Sequence, residues 1–131
     1  MTTRVDDSGL NYIATYLATQ DIQISAHTAD PGADGSNAEL PTGGGRNYSR
    51  HLEAAGSWAA DGGTSDNNAA IDMFTPVAAE AGTTVTHLGI RIGAARTWYG
   101  RIELVAPVTL VEGRPFRIAE GTIDLTVRHP A

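Results

Sequence analysis

The side chains of this sequence with the widest chemical repertoire are its four histidines, His27, His51, His87 and His129. A metal held by imidazoles needs three or four converging ligands, and none of these residues is paired at the short spacing that sets two imidazoles on one ion. No metal site is therefore expected, and His27 and His87 are read as strand-end residues bonded to the backbone. Asp30, Asp34, Asn37 and Glu39 place oxygen donors in a glycine-rich stretch of the kind hard cations favour. Their spacing is not that of an EF-hand loop, and Asx turns account for the same residues. Gly43-Gly44-Gly45-Arg46 lacks the Lys-Ser/Thr pair and the following helix of a phosphate loop, which leaves a conformationally free turn. No serine stands in a Gly-x-Ser-x-Gly elbow, and Ser57 and Ser65 fall in expected turns. The 15 acidic residues offer many carboxylate pairs for glycoside cleavage, but no spacing singles one out. The expectation is no catalytic residue, no cofactor and no metal, and the sequence marks no partner-binding residue.

The elements that would carry these residues follow from periodicity. Asp7 and Ser8 are N-cap types, and Leu10, Ile13 and Leu17 recur at helical spacing, which predicts a short amphipathic helix over 9–19. From Ile22 the period changes to two, and Ile22 and Ile24 alternate with Gln23 and Ser25 in a strand running to His27. Turn formers then dominate to Arg46, predicting a long irregular loop over 28–46. Further strands are expected near Tyr48–Glu53, Ala70–Phe74, Thr84–Ile92 and Thr97–Val105. Val108–Val111 and Phe116–Ile118 look like a hairpin around Glu112-Gly113-Arg114. A last strand falls at Ile123–Val127, where Ile123, Leu125 and Val127 alternate with polar residues. One helix followed by seven or eight short strands reads as a mainly β protein, an antiparallel, jelly-roll-like β-sandwich forming one domain over 1–131.

Composition narrows the function classes. The 131 residues are 41% hydrophobic, enough for one core. The net charge is −6, and the nine cations (all arginine) form no basic stripe, which argues against a nucleic-acid partner. The absence of cysteine excludes disulfide scaffolds, thiolate zinc sites and cysteine nucleophiles. No apolar run approaches the roughly 18 residues of a membrane span, so no membrane partner is expected. The polar N-terminus lacks the apolar centre of a signal peptide, so synthesis in the cytoplasm is expected. Charged residues are 18% of the chain, below the roughly 25% of typical soluble proteins. That deficit suggests that part of the surface is covered by neighbours.

One ordered set of turn and strand segments carries a family resemblance. His27-Thr28-Ala29-Asp30-Pro31-Gly32 closes the first strand, followed by Gly43-Gly44-Gly45 and Tyr48-Ser49-Arg50. Asn67-Asn68 precedes Ile71, Phe74 and Pro76. Val85-Thr86-His87-Leu88-Gly89-Ile90, Tyr99-Gly100, Pro107-Val108, Gly113 and the segment Gly121–Val127 complete the order. Over residues 22–127 this set resembles a family of small tailed-bacteriophage virion proteins with a β-sandwich domain, usually labelled tail-fibre proteins. The resemblance implies a non-enzymatic structural protein on the virion surface, made in the host cytoplasm, as a head-decoration or tail-associated subunit. Its implied partners are major capsid or tail subunits and copies of itself. The alternatives are a carbohydrate- or receptor-binding sandwich, for which Trp58, Trp98 and Tyr99 are few aromatics, and a small sandwich-fold enzyme. Loop 28–46 and the N-terminal helix are the expected docking elements. Ordering a free loop costs about 1–2 kcal/mol per residue, so the loop is expected to be mobile until it meets a neighbouring subunit.

Overall fold

The computed structural model describes residues 15–16, 19–53, 58–61, 64–67, 70–119 and 124–126. Among them are nine strands: β1 (Ile22–His27), β2 (His51–Glu53), β3 (Trp58–Asp61), β4 (Thr64–Asn67), β5 (Ile71–Phe74), β6 (Thr84–Ile92), β7 (Thr97–Thr109), β8 (Phe116–Ile118) and β9 (Asp124–Thr126). All pairings are antiparallel, as expected for a mainly β chain. The strands form a four-stranded sheet in the order β2-β1-β6-β7, a three-stranded sheet β3-β4-β9 and the pair β5-β8. The helix expected over 9–19 falls largely outside the described residues. Of its span only Thr15, Tyr16 and Thr19 are described; Thr15 and Tyr16 are helical, a stretch too short to stand as an element.

The alternation in β1 and β6 builds the frame. Their register sets Ile24 opposite Ile90, Ala26 opposite Leu88 and His27 opposite His87. Successive side chains point to opposite faces, so Ile22, Ile24, Ala26, Leu88 and Ile90 share one face and are all buried. That face joins Ile71, Met73, Phe116 and Ile118 of the β5-β8 pair in a single core. Tyr48, Phe74 and Phe116 run through it as an edge-to-face series with centroids 5.5 and 6.0 Å apart. The opposite face carries Gln23, Ser25, His27, His87, Gly89 and Arg91.

Several elements differ from expectation, each for a physical reason. The strand predicted from Tyr48 begins only at His51. Beside β1 the Tyr48 hydroxyl accepts the Ala26 N–H at 3.0 Å, which occupies the donor that a longer β2 would need. Asn47 and Tyr48 instead donate their backbone N–H groups to the buried Glu80 carboxylate at 3.1 and 2.8 Å, and Val77 N–H adds a third bond at 3.0 Å. The expected hairpin between Val108–Val111 and Phe116–Ile118 does not form. Val108 and Thr109 belong to β7 and pair with Val85 and Thr84, and Leu110 N–H donates to the Thr83 carbonyl. With that edge taken, Gly113, at φ 77°, donates to the Pro76 carbonyl and leads the chain to β5, which β8 pairs instead. The β3–β4 hairpin has no counterpart in the sequence expectation, and it places Ser65 in a strand rather than a turn. At the C-terminal end β9 pairs with β4 inside the strand predicted over 123–127.

Ile90 is 1% exposed at the centre of the core. Ile90→Ala should cost about 2–5 kcal/mol in urea unfolding, whereas Leu52→Ala on exposed β2 should stay within about 0.5 kcal/mol. Burial raises the Glu80 pKa, but its three N–H donors outweigh that and hold the carboxylate below its ordinary value. Its contribution is present above the unfolded value and fades as pH falls through the lowered folded one. Glu80→Gln should cost about 1–3 kcal/mol at pH 7, with the gap to wild type closing in acid-unfolding curves.

Candidate functional site

The polar face of the four-stranded sheet holds the most concentrated chemistry in the described structure. Ser25 Oγ and His27 Nε2 are 2.7 Å apart, and His27 Nδ1 is 2.7 Å from the Asn37 carbonyl. A carbonyl only accepts, so Nδ1 carries the hydrogen and Nε2 accepts from the Ser25 hydroxyl. Arg91 donates Nη1 to Ser25 Oγ at 3.2 Å and Nη2 to the Gly35 carbonyl at 3.3 Å. Its guanidinium lies 4.9 Å from the Trp98 ring centroid, a cation–π contact.

Serine, imidazole and an orienting acceptor are the parts of an activated nucleophile. Here Ser25 and His27 are both 0% exposed, and Arg91 occupies a lone pair of the serine oxygen. A substrate has no approach to this pair as it is folded. Burial pushes the His27 pKa below 6.5. The Asn37 carbonyl and Glu39 oppose that shift, while Arg91 and Arg50 add to it.

The layer is closed by the chain itself, which corrects the expectation of a loop left free for a neighbour. Asp30 pairs with Arg101 at 3.2 Å, and Arg101 also donates to the Gly32 carbonyl at 2.8 Å. Gly35, at φ 76°, lies against the Trp98 ring so closely that a Cβ would overlap it. Beyond it Thr28 N–H donates to the Ala38 carbonyl, and Glu39 forms an isolated bridge with His27. Leu40 N–H then donates to the Ala26 carbonyl, all three contacts extending the edge of β1. The ordering cost assigned to a second subunit is offset within the protomer.

The sequence-selected oxygen donors do not converge. Asp30 accepts the Gly32 N–H at 2.9 Å and Asp34 accepts the Ser36 N–H at 3.0 Å, both Asx turns. Asn37 donates to the Asp30 carbonyl. Glu39 is held by the Arg50 fork at 2.9 and 3.0 Å and by the Tyr48 hydroxyl at 2.7 Å. Among the described residues no three His, Asp or Glu side chains stand together as a metal site. Gly43–Gly45 turn with positive φ as expected, and Arg46 N–H closes on the Gly43 carbonyl.

The histidines likewise stay apart. His27 bonds a backbone carbonyl as read from sequence, but His87 lies inside β6 and its Nδ1 is 2.8 Å from Thr86 Oγ1. His51 pairs with Glu53 at 2.7 Å, and His129 is outside the described residues. Ser57 is also outside them.

A second feature had no sequence expectation. Between the Glu103–His87 and Val108–Val85 pairs, Leu104, Val105, Ala106 and Pro107 of β7 stand against Thr86 alone, a large bulge. Val105 is fully exposed there, and an open apolar groove of 380 Å³ lies beside it, lined by Ile102, Leu104, Val108, Phe116 and Ile118. Pro107, which cannot donate to a ladder, was the available signal for the bulge.

A bonded polar layer on an all-antiparallel frame makes this a mainly β protein. The chain belongs to the family of the podophage GP4 fiber I protein gp80, a tailed-phage tail-fibre family, whose family model matches residues 7–126. No curated protein and no solved structure matches it.

Gly89 tests the packing of this layer. A Cβ on it would overlap Ser25 Oγ and lie 2.9 Å from Trp98 Cζ3 and 3.0 Å from His27 Nε2. Gly89→Ala should cost about 1–3 kcal/mol by overpacking and should weaken the near-ultraviolet circular dichroism of Trp98.

Proposed function

We propose that this chain is a non-enzymatic structural subunit displayed on the outside of a tailed-phage particle, associated with the tail and built as a β-sandwich. The match of a tail-fibre family to residues 7–126 carries this reading. The core shared between the four-stranded sheet and the β5-β8 pair supports a sandwich. The sealing of Ser25 and His27 supports a structural role for both. Trp98 is half-buried, with Arg91 over its ring and Gly35 against its edge, which supports a packing role for it. The partners are other tail subunits and further copies of the chain, met through surfaces other than the occupied inner side of loop 28–40.

The test is immunogold electron microscopy of particles carrying an epitope-tagged chain. Gold on the tail is the expected result. Gold on the head would replace the tail by a head-decoration role, and unlabelled particles from cells that express the tagged chain would refute a virion role.

A further inference from the structure

Loop 28–40 covers the polar face of the sheet, and one titratable ring, His27, stands among the contacts that seat it. We propose that His27 is an acid-released latch, and that its protonation lifts the 28–40 loop off the four-stranded sheet while the sheet itself stays folded. The seated geometry requires a neutral ring, with Nδ1 donating to the Asn37 carbonyl and Nε2 accepting from Ser25. A second proton on Nε2 turns an acceptor into a donor facing the hydroxyl that now donates to it. Ser25 Oγ already accepts from Arg91 and would have to give its own hydrogen another partner in a fully buried layer.

The surrounding charges make the new cation unwelcome. On β6, Arg91 reaches the same serine oxygen and His87 stands directly opposite His27 in the register. From the segment after the loop comes Arg50, with the Tyr48 hydroxyl beside it. β7 contributes Glu103 opposite His87, one strand further away, and Arg101, which is already paired with Asp30. The loop carries Asp34, which acts on Arg91, and Glu39, the bridge partner of His27. Glu39 is the nearest compensating charge, but Arg50 and Tyr48 already hold its oxygens. The lowered pKa of the buried ring agrees with this balance.

The seated ring resists protonation and a released ring titrates near 6.5, so the loop-opening equilibrium is linked to one proton. Below about pH 6.5 opening should rise roughly ten-fold per pH unit until the seated ring itself titrates. Release separates Asn37 from His27 and Gly35 from Arg91 and Trp98. It leaves the β1–β6 ladder and its Ile24–Ile90 pair in place.

Hydrogen exchange of the full chain between about pH 7.5 and 5, corrected for intrinsic rates, tests this linkage. The amides of Thr28 and Leu40 should lose protection with that slope, while β1 and β6 amides stay protected. His27→Gln should remove the slope. In parallel, NMR of the wild-type imidazoles should show the Nδ1–H tautomer at His27 and loop exchange that follows its titration, which keeps the test decisive if the variant fails to fold. A loop whose protection is independent of pH, a slope that survives in His27→Gln, or loop exchange that follows His51 or His87 would each overturn the latch.

Discussion

Everything in this fold rests on how the polar side of one antiparallel sheet is covered. An antiparallel sheet can leave one face to water, and the alternation in β1 would permit that here. Instead loop 28–40 folds over Ser25, His27 and Arg91, and its main-chain carbonyls supply the partners that buried donors require. Gly35 and Gly89 make the approach possible, since side chains at either position would collide with Trp98 or Ser25. The result is that β1 and the second half of β6 are buried on both faces, with an apolar core below and a bonded polar layer above.

The same logic governs the other buried charges. Glu80 is nearly inaccessible but accepts three backbone N–H groups, so it fastens the 47–48 segment to the turn before β6. Glu39 joins the loop to Arg50 and Tyr48, and the Tyr48 hydroxyl passes the connection on to Ala26 of β1. A carboxylate left without these partners would cost several kcal/mol, so each one fixes the position of the segments that bond it. These irregular segments are thereby as well determined as the strands.

For a member of a tailed-phage tail-fibre family the loop's placement matters. The long loop, an obvious candidate for holding a neighbour, is engaged inside the protomer. Outward among the described residues stand the β7 bulge with exposed Val105 and the apolar groove beside it, together with exposed Tyr16, Leu52, Tyr99 and Val111. Residues that look catalytic in type, Ser25 and His27, are among those most completely withdrawn from solvent.

The amino-acid sequence by itself determined the antiparallel β class, strands β1 and β6, and the turns at Asp30, Asp34 and Gly43–Gly45. Each of these depends on local rules, namely a period of two, side-chain bonds to residues two positions on, and glycine's tolerance of positive φ. The ordered segments from His27 to Val127 also carried the family, because turn chemistry and spacing persist along the chain. Tertiary structure decided the rest. β3 and β4, with Trp-Ala-Ala-Asp and Thr-Ser-Asp-Asn, have no apolar alternation and exist through pairing with each other and with β9. β8 chose β5 because the edge predicted for it was already bonded to β6. The loop took its seat because carbonyls at 35 and 37 meet donors at 91 and 27, and no local pattern encodes where two such distant segments will come together.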